Sequence, residues 1–228
     1  MFTVLGGSLT LFEGAANYRP SEDSFWLASL LPTLPSKSTV LELGCGTGAI
    51  LLAYAQRVSG CTYTGIDHTP EMIEAAQKAA EANRIKATFT EGNALSKRPR
   101  AFDLVFANPP FYVTAREDIA KDTAKQNTKH TSDLAAWLTA LLAATKPQGC
   151  AALICHSKDA AMLLAQAQCL GAHCRAHYTL HSRPEKPAKR TVLIFNNSAG
   201  ENATAERINT YDVALREKAL MKNQPLFS

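Results

Sequence analysis

From residue 39 onward, short hydrophobic segments with the composition of β-strands alternate with longer segments of helical periodicity. Helices are predicted at about residues 47–58, 70–83, 131–145 and 157–170. Strands are predicted at Thr39–Leu43, Thr62–Ile66, Ala87–Thr90, Leu104–Phe106, Ala151–Cys155 and Thr191–Phe195. An alternation of this kind forms a parallel sheet that helices cover on both faces.

The two ends of the chain depart from this alternation. The segment 1–38 has a short β-like opening, followed by a predicted helix at Ser21–Leu31. Near the C-terminus, His173–His181 and Arg190–Asn196 are predicted to be strands joined by a proline-containing turn, without an intervening helix. They complete a mostly parallel seven-stranded sheet with an antiparallel C-terminal hairpin. We therefore predict an N-terminal segment, 1–38, and a single α/β domain, 39–228.

Composition narrows the class of protein. The chain is 46% hydrophobic, which supports a packed core. Its longest mostly apolar run, Ala135–Ala144, is about half as long as a membrane span requires. The first residues, Met1–Gly7, lack the basic and hydrophobic regions of a signal peptide. We expect a soluble cytoplasmic protein that does not act at a membrane.

Six cysteines raise the question of a metal site, but their spacing argues against one. Cys150 and Cys155 are five residues apart in a predicted strand, so they point to opposite faces and cannot share an ion. The chain has no Cys-x-x-Cys pair. We therefore predict reduced, buried thiols and no metal.

The net charge of +4 comes entirely from the C-terminal part of the chain. Residues 1–169 carry fifteen Lys and Arg against fifteen Asp and Glu, and residues 170–228 carry nine against five. The basic residues of the predicted hairpin suit contact with phosphate groups, although a solvated surface explains such a charge run equally simply. The candidates for binding RNA are Arg183, Lys186, Lys189 and Arg190.

A glycine-rich turn follows the first predicted core strand, in the sequence Glu42-Leu-Gly44-Cys45-Gly46-Thr-Gly48. Glycine permits positive φ angles and lets the backbone lie directly against a ligand. The spacing differs from the dinucleotide fingerprint G-x-G-x-x-G and lacks the Lys-Ser/Thr of a P-loop. The turn therefore indicates a nucleotide-containing cofactor of another kind.

Two further motifs end predicted strands. The second core strand ends in Gly65-Ile-Asp67, where a carboxylate can accept hydrogen bonds from both hydroxyls of a ribose. The fourth ends in Asn108-Pro109-Pro110-Phe111. Together with the glycine-rich turn, these motifs resemble those of the class I (Rossmann-like) methyltransferases, which implies S-adenosylmethionine as the cofactor. In that fold the third strand commonly ends in an acid that recognises adenine, but Asn93 stands at the matching position, before Ala94.

The Asn-Pro-Pro-Phe motif suits methyl transfer to a planar nitrogen. Such a nitrogen has a delocalised lone pair, and an Asn oxygen and a backbone carbonyl that accept its two N–H groups would localise that pair. Prolines fix φ and remove competing donors, while Phe111 can stack on a planar acceptor. No general base is required before transfer, so catalysis would consist of positioning and electrostatics.

The N-terminal segment narrows the resemblance to the bacterial valine-tRNA adenine-N6 methyltransferase family. That family has Leu-Gly-Gly, then Tyr-Arg, then Asp and an apolar helix before the cofactor strand. The matching residues here are Leu5-Gly6-Gly7, Tyr18-Arg19-Pro20, Asp23-Ser24 and Leu27-Ala28. The resemblance implies an adenine amine in the anticodon loop of valine tRNA, or another structured RNA, as the acceptor. The implied cofactor residues are Tyr18, Pro20, Asp23, Ser24, Glu42, Gly44, Cys45, Gly46, Gly48, Asp67, His68, Asn93, Ala94 and Asn108.

Two other functions stay open at this point. The entry segment from Tyr18 to Ser24 also resembles that of release-factor glutamine methyltransferases, which usually have Asn-Pro-Pro-Tyr where this chain has Phe111. A protein that binds cofactor and RNA without turnover is the other, although the intact Asn-Pro-Pro-Phe motif argues against it.

The charged segment Thr114–His130 follows a strand end, so we expect a substrate loop or partial helix there. The oligomeric state is not predicted.

Overall fold

The computed structural model describes residues 1–110 and 123–226, and for residues 123–133 it describes the backbone alone. The helices are α1 (Glu22–Leu30), α2 (Ala49–Arg57), α3 (Pro70–Ala82), α4 (Thr123–Ala144), α5 (Ala160–Cys169) and α6 (Val213–Arg216). The strands are β1 (Phe2–Val4), β2 (Leu9–Leu11), β3 (Thr39–Leu43), β4 (Thr62–Asp67), β5 (Ala87–Glu91), β6 (Phe102–Ala107), β7 (Thr145–His156), β8 (His173–His181), β9 (Arg190–Asn196) and β10 (Ala205–Asn209).

One large sheet organises the described chain, with the strand order β10-β8-β9-β7-β6-β3-β4-β5. Strands β5, β4, β3, β6 and β7 are mutually parallel, and β9 runs antiparallel between β7 and β8. The predicted mostly parallel α/β sheet with an antiparallel hairpin is confirmed. The prediction of seven strands is wrong, because an eighth strand, β10, pairs with β8 in parallel. The edge of the sheet is therefore β10 and not a strand of the hairpin.

Alternating side chains on the central strands separate the core into two layers. On β6, Leu104 and Phe106 pack with α1, α2 and α3, whereas Val105 and Ala107 face α4 and α5. Successive side chains of a strand point to opposite faces, so a strand covered on both faces is hydrophobic throughout. Cys150 and Cys155 fall in different layers, as predicted. All six cysteines are free thiols, but the prediction that they are buried is wrong for Cys61, which is half-buried, and for Cys169, which is exposed.

Helix boundaries differ most from prediction where the sequence is polar. Helix α4 begins at Thr123 rather than near residue 131, so part of the predicted loop Thr114–His130 is helical. Residues 114–122 of that loop lie outside the described residues. The other predicted helices agree with α1, α2, α3 and α5 to within a few residues. Within the described ranges, no helix combines the length and hydrophobicity that crossing a bilayer requires.

Candidate active site

Strand register brings the predicted cofactor and catalytic motifs to one edge of the sheet. Leu43, the last residue of β3, pairs with Ile66 of β4 on one side and with Ala107 of β6 on the other. Because these strands are parallel, the residues that follow them emerge together. The glycine-rich turn, Asp67 and Asn108 are therefore neighbours at the carboxyl end of the sheet.

The turn after β3 requires glycine for both conformation and space. Gly44, Gly46 and Gly48 all have positive φ angles, of 67°, 51° and 76°. A Cβ atom at Gly44 would lie 2.7 Å from the ring of Trp137 on α4. At Gly48 it would lie 2.9 Å from the ring of Phe89 on β5. A side chain at either position would strain the backbone and displace an aromatic ring.

Asp67 holds this turn against β4. One carboxylate oxygen, Oδ2, accepts a hydrogen bond of 2.9 Å from the Gly46 N–H, and Oδ1 accepts one of 3.0 Å from the Thr69 N–H. Asp67 is 8% exposed. Each carboxylate oxygen can accept a second hydrogen bond, so these contacts leave acceptor capacity for ribose hydroxyls. His68 is largely exposed, with its Nδ1 3.6 Å from Asp67 Oδ1.

Glu42 is a buried carboxylate beneath the same turn. It is 1% exposed, and its Oε2 accepts a 3.0 Å hydrogen bond from the Leu51 N–H in the first turn of α2. Burial raises the pKa of Glu42 well above its ordinary value of 4.5, the Leu51 hydrogen bond opposes that rise, and the charge of Asp67 adds to it. The pKa of the Tyr18 hydroxyl is raised by burial and then by Glu42 and Asp67. Burial and the neighbouring acid thus both disfavour the charged form of Glu42 when no cation is bound nearby.

The third predicted cofactor element, at the end of β5, is a short loop in a fixed conformation. The Leu95 N–H donates a 2.8 Å hydrogen bond to Asn93 Oδ1, and Ala94 is buried. The Arg98 guanidinium donates to the carbonyl oxygens of Asn93, Ala94 and Ser96. Arg98 thus fixes the loop that carries the candidate adenine contacts. Sequence reasoning missed it because nothing in the local pattern marks it.

A cavity lies between the glycine-rich turn, the N-terminal segment and Asn108. Its lining residues are Tyr18, Pro20, Ser24, Glu42, Gly44, Cys45, Gly46, Thr47, Ala49, Ile50 and Asn108. Most were predicted from the sequence. Thr47, Ala49 and Ile50 were not, although their position inside and just after the turn could have indicated them. Gly48, Asp67, His68, Asn93 and Ala94 lie outside this lining.

Asn108 presents a buried acceptor at this cavity. Its Nδ2 donates a 3.3 Å hydrogen bond to Ser24 Oγ. Its Oδ1 is buried and has no hydrogen-bond partner among the described residues, and the same holds for Thr47 Oγ1. A buried polar atom without a partner is costly to keep, which is typical of an atom that binds a ligand. Pro109 is buried and Pro110 is exposed. Phe111 lies outside the described residues.

Two of the predicted site residues contact each other. Asp23, predicted to bind cofactor, does not line the cavity. Its Oδ2 lies 2.8 Å from Nε of Arg190, predicted to bind RNA. The remaining RNA candidates, Arg183, Lys186 and Lys189, are exposed in the turn between β8 and β9. Among the described side chains, no cluster of three or more His, Cys, Asp or Glu could hold a metal ion.

These features suit S-adenosylmethionine. The glycine-rich turn lets a ligand approach the backbone, Glu42 lies in the cavity wall, and Thr47 Oγ1 needs a partner. Glu42 and Asp67 would favour the positively charged ammonium and sulfonium groups, and Asp67 would also accept from ribose hydroxyls. Bound there, the cofactor would supply an electrophilic methyl group.

Comparisons with known proteins agree with this site. Residues 40–129 match the family model described as a methyltransferase domain. The chain is 26% identical to the tRNA1(Val) (adenine(37)-N6)-methyltransferase of Edwardsiella ictaluri, over 84% of this chain and 77% of that protein. It is 31% identical to the release factor glutamine methyltransferase of Deinococcus radiodurans, over 57% of this chain. The chain spans about half the length of this second relative, at 46%.

Solved structures show the same fold. A predicted O-methyltransferase from Agrobacterium tumefaciens matches with a TM-score of 0.64 and 20% identity, over 81% of this chain and 85% of that one. The geranyl diphosphate C-methyltransferase of Streptomyces coelicolor, solved with S-adenosyl-L-homocysteine, matches with a TM-score of 0.55 and 12% identity. This match covers 77% of this chain and 75% of that one. The fold is therefore that of the class I (Rossmann-like) methyltransferases, and its cavity suits S-adenosylmethionine. The resemblance to the valine-tRNA adenine-N6 enzymes is confirmed at the level of sequence relatives that align with most of the chain.

We predict that Asp67→Ala weakens S-adenosylmethionine binding by about 1.5–3 kcal/mol, because hydrogen bonds to a charged acceptor are lost. Isothermal titration calorimetry measures the change. Glu91→Ala is the matched control, since Glu91 pairs with Asp67 in the strand register but is exposed. Unchanged affinity in a folded Asp67→Ala protein would contradict the ribose contact.

Glu42→Gln is predicted to stabilise the cofactor-free protein at neutral pH and to weaken cofactor binding. A carboxylate whose folded pKa is raised loses stability as pH increases from its unfolded pKa towards the folded one, and glutamine removes that loss while still accepting from the Leu51 N–H. Thermal denaturation should show a gain at pH 7 that disappears near pH 4.5, where unfolded Glu42 becomes protonated. A Glu42→Gln protein with the same stability as wild type at both pH values would disprove the buried-charge interpretation.

Proposed function

We propose that this protein transfers the methyl group of S-adenosylmethionine to the N6 amine of an adenine in tRNA, in the anticodon loop of valine tRNA. The observation that carries the proposal is the buried, unpartnered Oδ1 of Asn108 in the cofactor cavity. This oxygen can accept an N–H from a planar amine at the place where the methyl donor would bind. The N-terminal segment 1–38, which contributes Tyr18, Pro20 and Ser24 to the cavity wall, covers the cofactor in this proposal.

The chemistry requires positioning more than proton transfer. The amine of adenine shares its lone pair with the ring, which makes it a poor nucleophile. Asn108 Oδ1 and a backbone carbonyl of the Asn-Pro-Pro segment would accept its two N–H groups, which directs the lone pair towards the methyl group. The two prolines contribute acceptors without N–H donors. The amine loses its proton to solvent after it has become cationic, so no general base precedes the transfer.

The lengths over which the sequence relatives align with this chain favour RNA over a protein as the methyl acceptor. The tRNA1(Val) enzyme of Edwardsiella ictaluri aligns with 84% of this chain, and the chain covers 77% of that enzyme. For the release factor glutamine methyltransferase of Deinococcus radiodurans the corresponding shares are 57% and 46%, although the identity is higher, at 31% against 26%. The alignment with the tRNA enzyme therefore includes more than a shared cofactor-binding core.

The charge distribution supports the same acceptor. Arg183, Lys186 and Lys189 are exposed in the β8–β9 turn. This turn ends beside the carboxyl end of β7, since Arg190 at the start of β9 pairs with His156 at the end of β7. The basic turn and Asn108 therefore lie at the same edge of the sheet. A base in an RNA loop can be turned out towards such an edge at lower cost than a base in a duplex.

Treatment of unmodified valine tRNA and of unmodified release factor with the enzyme and S-adenosylmethionine tests the proposal directly. Mass spectrometry of the digested products should show N6-methyladenosine and no methylglutamine. Methylglutamine without N6-methyladenosine would establish the protein-directed alternative, which the higher identity to glutamine methyltransferases favours.

In the same assay, Asn108→Ala should lose most turnover, because its contacts are made with the acceptor amine in the transition state. The predicted loss is about 10²–10³-fold in single-turnover rate, comparable to removal of one oxyanion-hole donor. Cofactor affinity, measured by calorimetry, should remain nearly unchanged. An Asn108→Ala enzyme with substantial single-turnover activity would contradict the assigned role.

Neutralising the basic turn should weaken tRNA binding without affecting the cofactor. We predict that Arg183→Gln, Lys186→Gln and Lys189→Gln together flatten the plot of log affinity against log salt concentration, by up to about 0.9 for each lost duplex-type contact and by less for single-stranded ones. The control replaces Lys78, Lys86 and Lys222, which are exposed elsewhere on the described surface, by glutamine. Equal salt dependence in the two triple variants would place RNA binding elsewhere.

A further inference from the structure

The first turn of α1 contacts the candidate catalytic residue, Asn108, and also strand β9. Asp23 and Ser24 are consecutive residues in its first turn. Ser24 contacts Asn108, the residue that follows β6, while Asp23 contacts Arg190 of β9. We propose that Ser24 is a positioning residue for Asn108, and that the Asp23–Arg190 ion pair holds Ser24 in place. This inference rests on the proposed role of Asn108.

Ser24 fixes one end of a planar group. It is 2% exposed, and its Oγ accepts the 3.3 Å hydrogen bond from Asn108 Nδ2. Because an amide is planar, anchoring Nδ2 at the serine directs Oδ1 to the opposite side. Rotation of the amide by 180° would place an N–H donor where the acceptor amine presents its own N–H groups. In the orientation observed, the serine hydroxyl accepts from Nδ2 and leaves Oδ1 able to accept from a substrate amine.

Arg190 connects this turn of α1 to two strands. Its Nε donates a 2.8 Å hydrogen bond to Asp23 Oδ2, and its Nη1 lies 2.7 Å from His156 Nδ1 at the end of β7. The two side chains of the ion pair are only 19% and 25% exposed. Among the described residues, helix α2 contacts α1 through polar groups only at the C-terminal end of α1, where Arg57 donates to the carbonyl oxygens of Ala28 and Leu31. The ion pair adds a directional contact beside Ser24.

The position of Arg190 also separates it from the rest of the basic turn. Arg183, Lys186 and Lys189 are exposed, whereas the Arg190 guanidinium is mostly enclosed and ion-paired. Its positive charge is thereby matched by a carboxylate of the same chain. Of the four residues that the sequence suggests for phosphate binding, Arg190 is thus assigned here to the protein's own architecture.

The first test compares Ser24→Ala with Ser29→Ala. Ser29 lies on the same helix, is equally buried, and donates to the Trp26 carbonyl rather than to the site. With saturating cofactor and tRNA, Ser24→Ala is expected to lower the single-turnover rate by about tenfold to a hundredfold, because the acceptor is misplaced. Cofactor affinity measured by calorimetry should fall by less than the rate, since Ser24 also lines the cofactor cavity, and Ser29→Ala should match wild type in both assays. A Ser24→Ala rate equal to that of Ser29→Ala, or a loss of cofactor affinity as large as the loss of rate, would overturn the proposal.

The second test is a double-mutant cycle of Asp23→Asn and Arg190→Gln. Each single variant should lower the single-turnover rate, and the double variant should be no slower than the slower single one, because both remove the same ion pair. The salt dependence of tRNA binding should not change in Arg190→Gln. If Arg190→Gln flattens that dependence while Asp23→Asn retains the wild-type rate, Arg190 binds phosphate and the positioning role is wrong.

Failure of the proposed function can be recognised separately. If wild-type protein methylates a release factor and not tRNA, the proposed function is wrong, but the same variants can be measured with that acceptor. A glutamine amide nitrogen is also planar and presents two N–H groups to Asn108. A loss of rate in Ser24→Ala with that substrate would still support the positioning role, and a wild-type rate would overturn it.

Discussion

The burial of β3 on both faces is the constraint on which the rest of the molecule depends. Val40 packs into one layer of the core and Leu41 and Leu43 into the other, and all three are fully buried. A shift of this strand by one residue would exchange its two faces and force both layers of the core to repack. The residues that leave its carboxyl end are therefore placed accurately beside those that leave β4 and β6. The cofactor turn and Asn108 meet as a consequence of this packing.

The site concentrates groups that weaken the fold when no ligand is bound. Glu42 is a carboxyl group in the core, and Thr47 Oγ1 and Asn108 Oδ1 lack partners among the described residues. Each carries an energetic cost that the surrounding apolar layers must offset. All of them lie at the carboxyl end of the sheet, where a positively charged ligand with hydrogen-bonding groups would relieve them. Stability and binding are thus in opposition at the same few residues.

The sequence was sufficient to predict the elements whose hydrophobic pattern is strong. The bounds of β3 and β8 agree with prediction, and the glycine-rich turn, Asp67 and Asn108 occupy the strand ends expected for them. It did not reveal β10, because Ile208 is the one buried residue of that strand and no alternating pattern results. The start of α4 was missed for a similar reason, since its first residues are polar. The pairing of Asp23 with Arg190 joins residues 167 positions apart, which no local pattern can indicate.

That separation along the chain has a consequence for synthesis. Residues 39–110 contain the cofactor turn, the strand with Asp67 and the Asn-Pro-Pro segment, all of which leave the ribosome early. The first turn of α1 leaves earlier still, but its ionic partner on β9 is made only after most of the polypeptide has emerged. The chain also returns to α1 near its end, where the Leu226 N–H donates to the Ser29 carbonyl oxygen. The contacts that hold the first turn of α1 therefore form only after most of the chain has been synthesised, whereas the strands that carry the glycine-rich turn and Asn108 are available earlier.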